Sequence, residues 1–392
     1  MLLLFSCNKE DDPVVAESAD RTVLAYFLTK DLSSALQDNI EMLFEGLQNT
    51  KKASTVLIYW DNKVNKFDSP CILKYSSDGQ GRVNGVSKEE FLAQTSSDRV
   101  SFAVNKAQVV KTYSSQTDAT NPSVMTSILK DMISLAPNKS YGLIFGSHGT
   151  SWLPKNYSRT RSLAATYDTP IEVTDLNDAL LNTGTKFEYI ITDACMMGSM
   201  EVVYEIRNTC NYYICSSMEV PMEGFPYHII TPYLFSNDLE DYTDKICSTY
   251  ASYYTEKKYW GNSIVIDCSQ VAALTRYIAN YISNYQPIDL SSVQEYGAYS
   301  FKYLSYDIKD FFNTYTGNNL PAEFTSQIDR TIISRGFVST AYGAYPSFKN
   351  TTLLCGLGMY IPQPSYTNWN SYLSTLSWAS ASGWKTYLDK IK

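Results

Sequence analysis

Two segments of the chain decide the fold, Tyr141-Gly-Leu-Ile-Phe-Gly-Ser-His-Gly149 and Phe187-Glu-Tyr-Ile-Ile-Thr-Asp-Ala-Cys195. Each begins with a short apolar run, which is typical of a strand buried on both faces of a sheet. The first run leads into the imidazole of His148, and the second leads into the thiol of Cys195. In open α/β sheets, ligands bind beyond the carboxyl ends of the strands. We therefore expect His148 and Cys195 to meet at one edge of a parallel sheet.

The surrounding sequence alternates between apolar runs and helical spacing. The run 22–28, the helical spacing over 33–47 and the run 54–60 predict a βαβ unit with parallel strands. Residues 70–112 contain glycine-rich turns and short strands, which predict a hairpin excursion. Further strands are predicted at 212–216 and 261–267, and further helices at 122–135, 174–181, 199–207 and 270–284. The fold class is therefore α/β with a mostly parallel central sheet.

The alternation becomes less regular after about residue 287. There we predict a helix near 323–335, a strand over 353–361 and a helix near 379–391. We interpret 21–287 as the main domain and 288–392 as a C-terminal subdomain that packs on it.

The composition excludes several classes of function. The 392 residues include 32 Lys plus Arg and 40 Asp plus Glu, for a net charge of −8. No basic field is present to hold phosphates, so we expect no nucleic-acid partner. The two histidines, His148 and His228, are too few for a histidine-rich metal site, and the eight cysteines lack zinc-ribbon spacing. We predict no metal site, and we expect His228 to pack under a loop.

The N-terminal residues predict export. Residues 1–6 are apolar and lead to Cys7, whereas about 20 apolar residues are needed to span a bilayer. This pattern is similar to a bacterial lipoprotein signal over 1–7 with lipidation at Cys7, followed by a flexible tether over 8–20. We expect an exported chain, held at the outer membrane or cell surface by its lipid alone. The alternative is an arbitrary apolar start with one stray cysteine.

His148 and Cys195 together fit nucleophilic catalysis. Cys195 lies between a strand and a helix, where backbone N–H groups and the helix dipole favour a thiolate, so we predict a depressed thiol pKa. His148 could protonate the amine that departs from a cleaved peptide bond. The backbone N–H groups of Gly149 and Cys195 could hold the oxyanion. The histidine precedes the cysteine by 47 residues, and caspase-type proteases use a spacing of about 50.

On these residues the chain resembles the clostripain family of cysteine peptidases, relatives of gingipains and caspases. The matching segments are Thr22–Tyr26, Phe145–Gly149, Asp193–Gly198, Ser216–Pro221 with Gly224–Tyr227, and Gly356–Pro362. The resemblance spans about residues 21–390. It implies a caspase-like α/β/α sandwich, His148 and Cys195 as the catalytic pair, and cleavage after Arg or Lys through a thioester. It implies no required cofactor, with Ca²⁺ as a candidate activator although the chain has no EF-hand loop.

The same resemblance gives Asp193 a role in specificity. Family members use an acid at this position to bind the basic P1 residue, and a carboxylate there could pair with a guanidinium or ammonium group. A second acid follows the next strand, either Glu219 or Glu223, and we favour Glu223. Alternatively, Asp193 could cap the turn that follows it.

The loop after His148 is a candidate for self-processing, because family members are often activated by cutting themselves there. This loop contains Lys155, Arg159 and Arg161, and we predict cleavage after Arg159 or Arg161. The alternative is a solvated basic loop that is not processed.

Two other functions stay open. A surface lipoprotein could keep this fold and bind a protein or a glycan without catalysis, although the presence of both His148 and Cys195 argues against it. A serine hydrolase is weaker still, because the chain has no G-x-S-x-G nucleophile elbow.

Overall fold

The computed structural model describes residues 16–28, 32–61, 67, 69–154, 171–339, 343, 345 and 347–391, and its strands follow the apolar runs of the sequence. The strands are β1 (Ser18–Phe27), β2 (Ala53–Trp60), β3 (Cys71–Ser77), β4 (Arg82–Val83), β5 (Val86–Ser87), β6 (Gln108–Thr112), β7 (Ser140–Gly146), β8 (Phe187–Asp193), β9 (Cys210–Cys215), β10 (Asn262–Asp267), β11 (Tyr306–Asp307), β12 (Ile332–Phe337) and β13 (Gly358–Met359). The helices are α1 (Ser33–Gln48), α2 (Lys88–Leu92), α3 (Ser96–Asn105), α4 (Pro122–Leu135), α5 (Val173–Leu181), α6 (Met200–Ile206), α7 (Tyr227–Leu234), α8 (Leu239–Tyr242), α9 (Asp244–Glu256), α10 (Val271–Ile282), α11 (Ile308–Tyr315), α12 (Ala322–Thr331), α13 (Thr367–Leu373), α14 (Ser377–Ala381) and α15 (Trp384–Lys390).

One sheet organises the described part of the chain. Its strands run in the order β12-β10-β9-β8-β7-β1-β2-β3-β4-β5, with β6 beside β3. The central strands β9, β8, β7, β1 and β2 are parallel, and the outer strands pair antiparallel. The predicted α/β class with a mostly parallel central sheet is confirmed. The predicted excursion over 70–112 forms the antiparallel edge from β3 to β6.

Side chains of the parallel strands alternate between two apolar cores. On β1, Leu24 and Tyr26 enter one core, whereas Val23 and Ala25 enter the other. Helices α4, α5, α6 and α10 cover the first core, and α1, α7 and α9 cover the second. The structure is therefore the α/β/α sandwich that the family resemblance implied.

The residues after 287 depart from the predicted elements. The helix expected near 323–335 ends at Thr331, and the β-branched Ile332 and Ile333 begin β12, which joins the central sheet beside β10. The strand expected over 353–361 shrinks to β13, because neighbouring backbone N–H groups bond to a buried carboxylate instead of to a strand. The proposed C-terminal subdomain thus shares the sheet and the first core with the main domain.

That carboxylate belongs to Asp307, which is fully buried. It accepts hydrogen bonds from the Tyr296 hydroxyl at 2.5 Å and from the backbone N–H groups of Asp310, Cys355 and Gly356 at 2.9 Å each. Buried polar groups are costly unless they are satisfied, and here one side chain satisfies three backbone donors. Asp307 therefore fixes the segment that leads into β13.

None of the helices in the described ranges combines the length and the apolar character needed to cross a bilayer.

Replacing Asp307 with alanine would leave three buried backbone N–H groups without an acceptor. We expect Asp307→Ala to lower the free energy of unfolding by about 3 kcal/mol or more, as measured by urea denaturation followed by circular dichroism. The matched control is Asp289→Ala, since Asp289 is exposed and its carboxylate accepts from Ser291 in its own turn. Equal losses in the two variants would contradict the role of Asp307.

Candidate active site

The strand order places the two predicted catalytic residues at the same edge of the sheet. β7 and β8 are parallel neighbours, with Gly146 opposite Asp193, and the Ser147 N–H donates to the Asp193 carbonyl at 3.4 Å. The chain leaves both strands at this point. His148 and Cys195 consequently line one cavity, which has a volume of about 340 Å³.

Gly149 lies directly against the backbone of Cys195. A Cβ atom at Gly149 would stand 2.2 Å from the carbonyl oxygen of Cys195 and 2.6 Å from its nitrogen. Only a residue without a side chain fits there without displacing the backbone. The glycine therefore lets the loop after His148 approach the nucleophile closely. Its predicted role as an oxyanion donor stays a prediction.

The turn after Cys195 rests on a buried polar network. Met196 has a positive φ of 61°, a strained conformation for a residue with a side chain. The Ser217 hydroxyl lies within hydrogen-bond distance of the carbonyl oxygens of Gly198, at 2.6 Å, and Gly356, at 2.5 Å. The Asn262 side chain accepts from the Ser217 N–H at 3.0 Å and donates to the Gly356 carbonyl at 3.1 Å. These hydrogen bonds hold the backbone at Gly198 and thereby stabilise the strained turn at Met196.

Cys195 is half-buried, and its sulfur is hydrogen-bonded to Val220. The Val220 N–H donates to Sγ at 3.4 Å, and Sγ lies 3.9 Å from the Val220 carbonyl oxygen. Burial raises the pKa of the Cys195 thiol to about 12, and the carboxylates of Glu219 and Asp193 add to the rise. At neutral pH the thiol is therefore protonated, and its ionisation requires a base.

The predicted depressed thiol pKa is wrong. Helix α6 begins only at Met200, and the field of a helix dipole falls off within about one turn. Burial and two nearby acids outweigh the backbone hydrogen bonds of Val220 and Cys195, which lower the thiol pKa.

Asp193 connects the nucleophile's strand to the loop after β9. The residue is 8% exposed, and Oδ2 accepts from the Phe225 N–H at 3.1 Å and the Tyr227 hydroxyl at 2.9 Å. Gly224 has a φ of 68°, and a Cβ atom there would stand 2.2 Å from Oδ2. Burial raises the pKa of Asp193 to about 6, although these hydrogen bonds oppose the rise. Both hydrogen-bond donors to Asp193 belong to the segment after β9. Asp193 therefore does not cap the turn that follows it, which was the alternative interpretation.

The two candidate second acids lie in different cavities. Glu219 lines the cavity of Cys195, and burial raises the pKa of its carboxyl group. Glu223 lines a neighbouring cavity of about 340 Å³ and pairs with Lys257 at 3.6 Å. The structure thus brings Glu219, and not the favoured Glu223, beside the nucleophile, because the ion pair with Lys257 draws Glu223 toward the end of α9.

His228 lies in the same neighbouring cavity as Glu223. Its ring makes an edge contact with Tyr253, with 5.6 Å between the ring centroids, and burial lowers the pKa of the imidazole. His148 is therefore the histidine that lines the cavity of Cys195.

Sequence reasoning missed an aromatic pair, Trp260 and Tyr345, in the wall of the Cys195 cavity. The rings stack with centroids 4.0 Å apart and planes 8° apart. Trp260 Nε1 donates to the Glu219 carbonyl at 2.9 Å. The only available signal was the position of Trp260 just before a predicted strand, and nothing in the sequence marked Tyr345.

Three predicted residues lie outside the described part of the chain: Cys7, Arg159 and Arg161. Within the described ranges, no group of three or more His, Cys, Asp or Glu side chains is arranged to hold a metal ion.

The acids around Cys195 give a testable consequence. Because Glu219 raises the thiol pKa, Glu219→Gln should increase the thiolate fraction at pH 7 and speed alkylation of Cys195 by iodoacetamide several-fold. Peptide mapping by mass spectrometry gives the rate at this one cysteine. Glu223→Gln is the control, since Glu223 lies in the other cavity. An unchanged rate in Glu219→Gln would show that the carboxylate does not act on the thiol.

Comparison with known proteins agrees with this geometry. The family model described as the clostripain family, peptidase C11, matches residues 26–390. Among curated proteins, none matches the chain.

Solved structures show the same fold. An inactive zymogen C11 protease from Parabacteroides distasonis has a TM-score of 0.74 at 23% identity, covering 94% of this chain and 99% of that chain. A secreted C11 cysteine protease from Bacteroides thetaiotaomicron, in complex with an irreversible peptide inhibitor, has a TM-score of 0.71 at 24% identity, covering 93% and 99%. Together with the family match over nearly the whole chain, the shared cavity of His148 and Cys195 leads to one conclusion. This chain belongs to the clostripain family and is a cysteine peptidase.

Proposed function

We propose that this chain is an endopeptidase that cleaves after Arg or Lys, with Cys195 as nucleophile and His148 as acid and base. The observation that carries the proposal is that one cavity holds His148, Cys195 and Asp193 together. It thus combines a sulfur nucleophile, a proton carrier and a buried carboxylate.

In the proposed reaction, His148 takes the thiol proton as Sγ attacks the carbonyl carbon of the P1 residue. A base is required because the resting thiol has a pKa of about 12. The N–H groups of Gly149 and Cys195 hold the oxyanion. The C–N bond then breaks, and His148 gives its proton to the departing amine, which leaves a thioester. Water attacks the thioester carbonyl while His148 takes one of its protons. The C–S bond then breaks, His148 returns that proton to Sγ, and the acid product ionises in solvent.

Asp193 supports a preference for a basic P1 residue. Its Oδ2 bonds to Phe225 and Tyr227, while Oδ1 makes no hydrogen bond to the described residues and can accept one from a guanidinium or ammonium group. With a pKa of about 6, Asp193 is ionised at neutral pH. Glu219 fits this proposal better than Glu223 as the second acid, because it lines the same cavity.

The proposal includes features that lie outside the described residues: self-processing after Arg159 or Arg161, and a lipid anchor at Cys7 of an exported chain. The Bacteroides thetaiotaomicron relative is described as secreted, which supports export. Activation by Ca²⁺ stays a proposal of the family resemblance.

The catalytic pair can be tested by substitution. We expect Cys195→Ala and His148→Ala each to lower kcat/KM for a fluorogenic P1-Arg peptide by about 10³-fold or more, with the melting temperature nearly unchanged. His228→Ala is the control and should keep its activity, because His228 lies in the neighbouring cavity. Normal cleavage by Cys195→Ala would refute the proposed nucleophile.

Charge recognition by Asp193 predicts a pH dependence that is separate from thiol ionisation. The measurement is the ratio of kcat/KM for a P1-Arg peptide to that for its neutral P1-citrulline analogue. The pH dependence of kcat/KM reports ionisation in the free enzyme, so the titration of the free thiol is the same for both peptides and cancels from the pH dependence of the ratio. Because Asp193 has a pKa of about 6, ionisation makes the ratio rise as the pH increases through 6. In Asp193→Asn the ratio should be lower by about tenfold or more at neutral pH and independent of pH.

Glu223→Gln is the matched control for this experiment and should keep the wild-type profile. An equal loss of activity on both peptides in Asp193→Asn would mean that Asp193 only shapes the loop at 224–227.

A further inference from the structure

We infer that Trp260 and Tyr345 form the wall of a second substrate subsite, which takes an apolar side chain at P2, the residue just before the cleaved basic residue. We call this pair the aromatic wall. The inference rests on the proposed function and extends it from the P1 residue to the P2 residue.

The aromatic wall is held in place before any substrate binds. Its two rings stack in parallel at 4.0 Å, Trp260 Nε1 bonds to the Glu219 carbonyl, and the Tyr345 hydroxyl bonds to the Glu219 carboxylate. The next residue, Val220, bonds to the Cys195 sulfur. Hydrogen bonds of the adjacent residues Glu219 and Val220 therefore connect the aromatic wall to Cys195. Few side chains of the wall need to be ordered when a substrate binds.

The strand order shows which half of the substrate meets the wall. β8, which leads to Cys195, lies between β7, which leads to His148, and β9. β10 is antiparallel to β9, with Ile264 opposite Cys215, so Trp260 before β10 lies at the carboxyl edge of β9. The departing amine takes its proton from His148 and thus leaves on the β7 side. The acyl half of the substrate, which contains P1 and P2, lies on the β9 side with the wall.

Alternation along an extended peptide assigns the wall to P2. Successive side chains of an extended chain point in opposite directions, so a P1 side chain directed at Asp193 turns the P2 side chain away from that carboxylate. Asp193 and the aromatic wall, which would meet the P1 and P2 side chains, line the same cavity. The two rings are half-buried and offer apolar surface, and Met222 on the rim of the cavity is 71% exposed.

The charges of the cavity exclude acidic side chains from this subsite. Glu219 is bonded to the wall itself, and Asp193 lies in the same cavity. A P2 carboxylate against the wall would be desolvated beside the Glu219 carboxylate. Leucine or phenylalanine should therefore be preferred over glycine, and glycine over aspartate.

The test uses the full chain and fluorogenic tetrapeptides with Arg fixed at P1 and each other position scanned. At P2 we expect kcat/KM for Leu to exceed that for Gly by about tenfold or more, the size that a hydrophobic pocket supplies. In Trp260→Ala and Tyr345→Ala this ratio should fall toward one. Trp260→Phe and Tyr345→Phe keep a ring and should keep most of the preference, and Leu353→Ala, which is 60% exposed and does not line the cavity, should keep all of it.

The outcomes separate the inference from the proposed function. Cys195-dependent cleavage after Arg with no P2 preference, or with a preference that both alanine variants retain, would overturn the inference alone. A preference confined to P3 or to the primed side would overturn the assignment to P2. A chain that cleaves none of the peptides would overturn the proposed function, and the inference with it.

Discussion

The site depends on one contact between two backbones, the approach of Gly149 to Cys195. The carbonyl oxygen and the nitrogen of Cys195 occupy the space in which any other residue would carry its Cβ atom. This contact is set by two parallel neighbours, β7 and β8, which end at the same edge of the sheet. The loops that carry the histidine and the cysteine are thereby fixed to each other by main-chain geometry, which long flexible side chains could not achieve. Ser217 and Asn262 then hold the turn after Cys195 from the other side.

Negative charge shapes the resting state of this cavity. Burial together with Glu219 and Asp193 keeps the thiol protonated, and burial alone is enough to raise the pKa of Asp193 to about 6. In the proposed mechanism a basic P1 residue brings a positive charge to these acids. The positive charge of the P1 side chain that pairs with Asp193 also offsets the negative field of the two acids, which disfavours the thiolate. Recognition of a basic residue and activation of the nucleophile are then two consequences of one electrostatic arrangement.

Sequence reasoning correctly predicted the elements whose sequence pattern lies within their own residues. The apolar runs at 141–147 and 187–192 predicted β7 and β8, and their last residues placed His148 and Cys195 correctly at one edge. It failed where a distant partner decides the outcome. The buried carboxylate of Asp307 draws the N–H groups of Cys355 and Gly356 away from a strand, and Lys257 holds Glu223 in the neighbouring cavity. The thiol pKa was mispredicted for a related reason, since burial, the largest cause of its rise, and the Glu219 carboxylate both act on Cys195 only through the fold. Tyr345 reaches the cavity by tertiary packing alone.

The most direct measurement is a crystal structure of the full chain after reaction with a peptidyl-arginine chloromethyl ketone, a reagent that alkylates the nucleophile while carrying a P1 guanidinium. We expect a thioether on Cys195 Sγ, with the guanidinium within hydrogen-bond distance of the Asp193 carboxylate and with Gly149 still packed on the Cys195 backbone. An adduct on a different residue, or an arginine side chain directed away from Asp193, would contradict it.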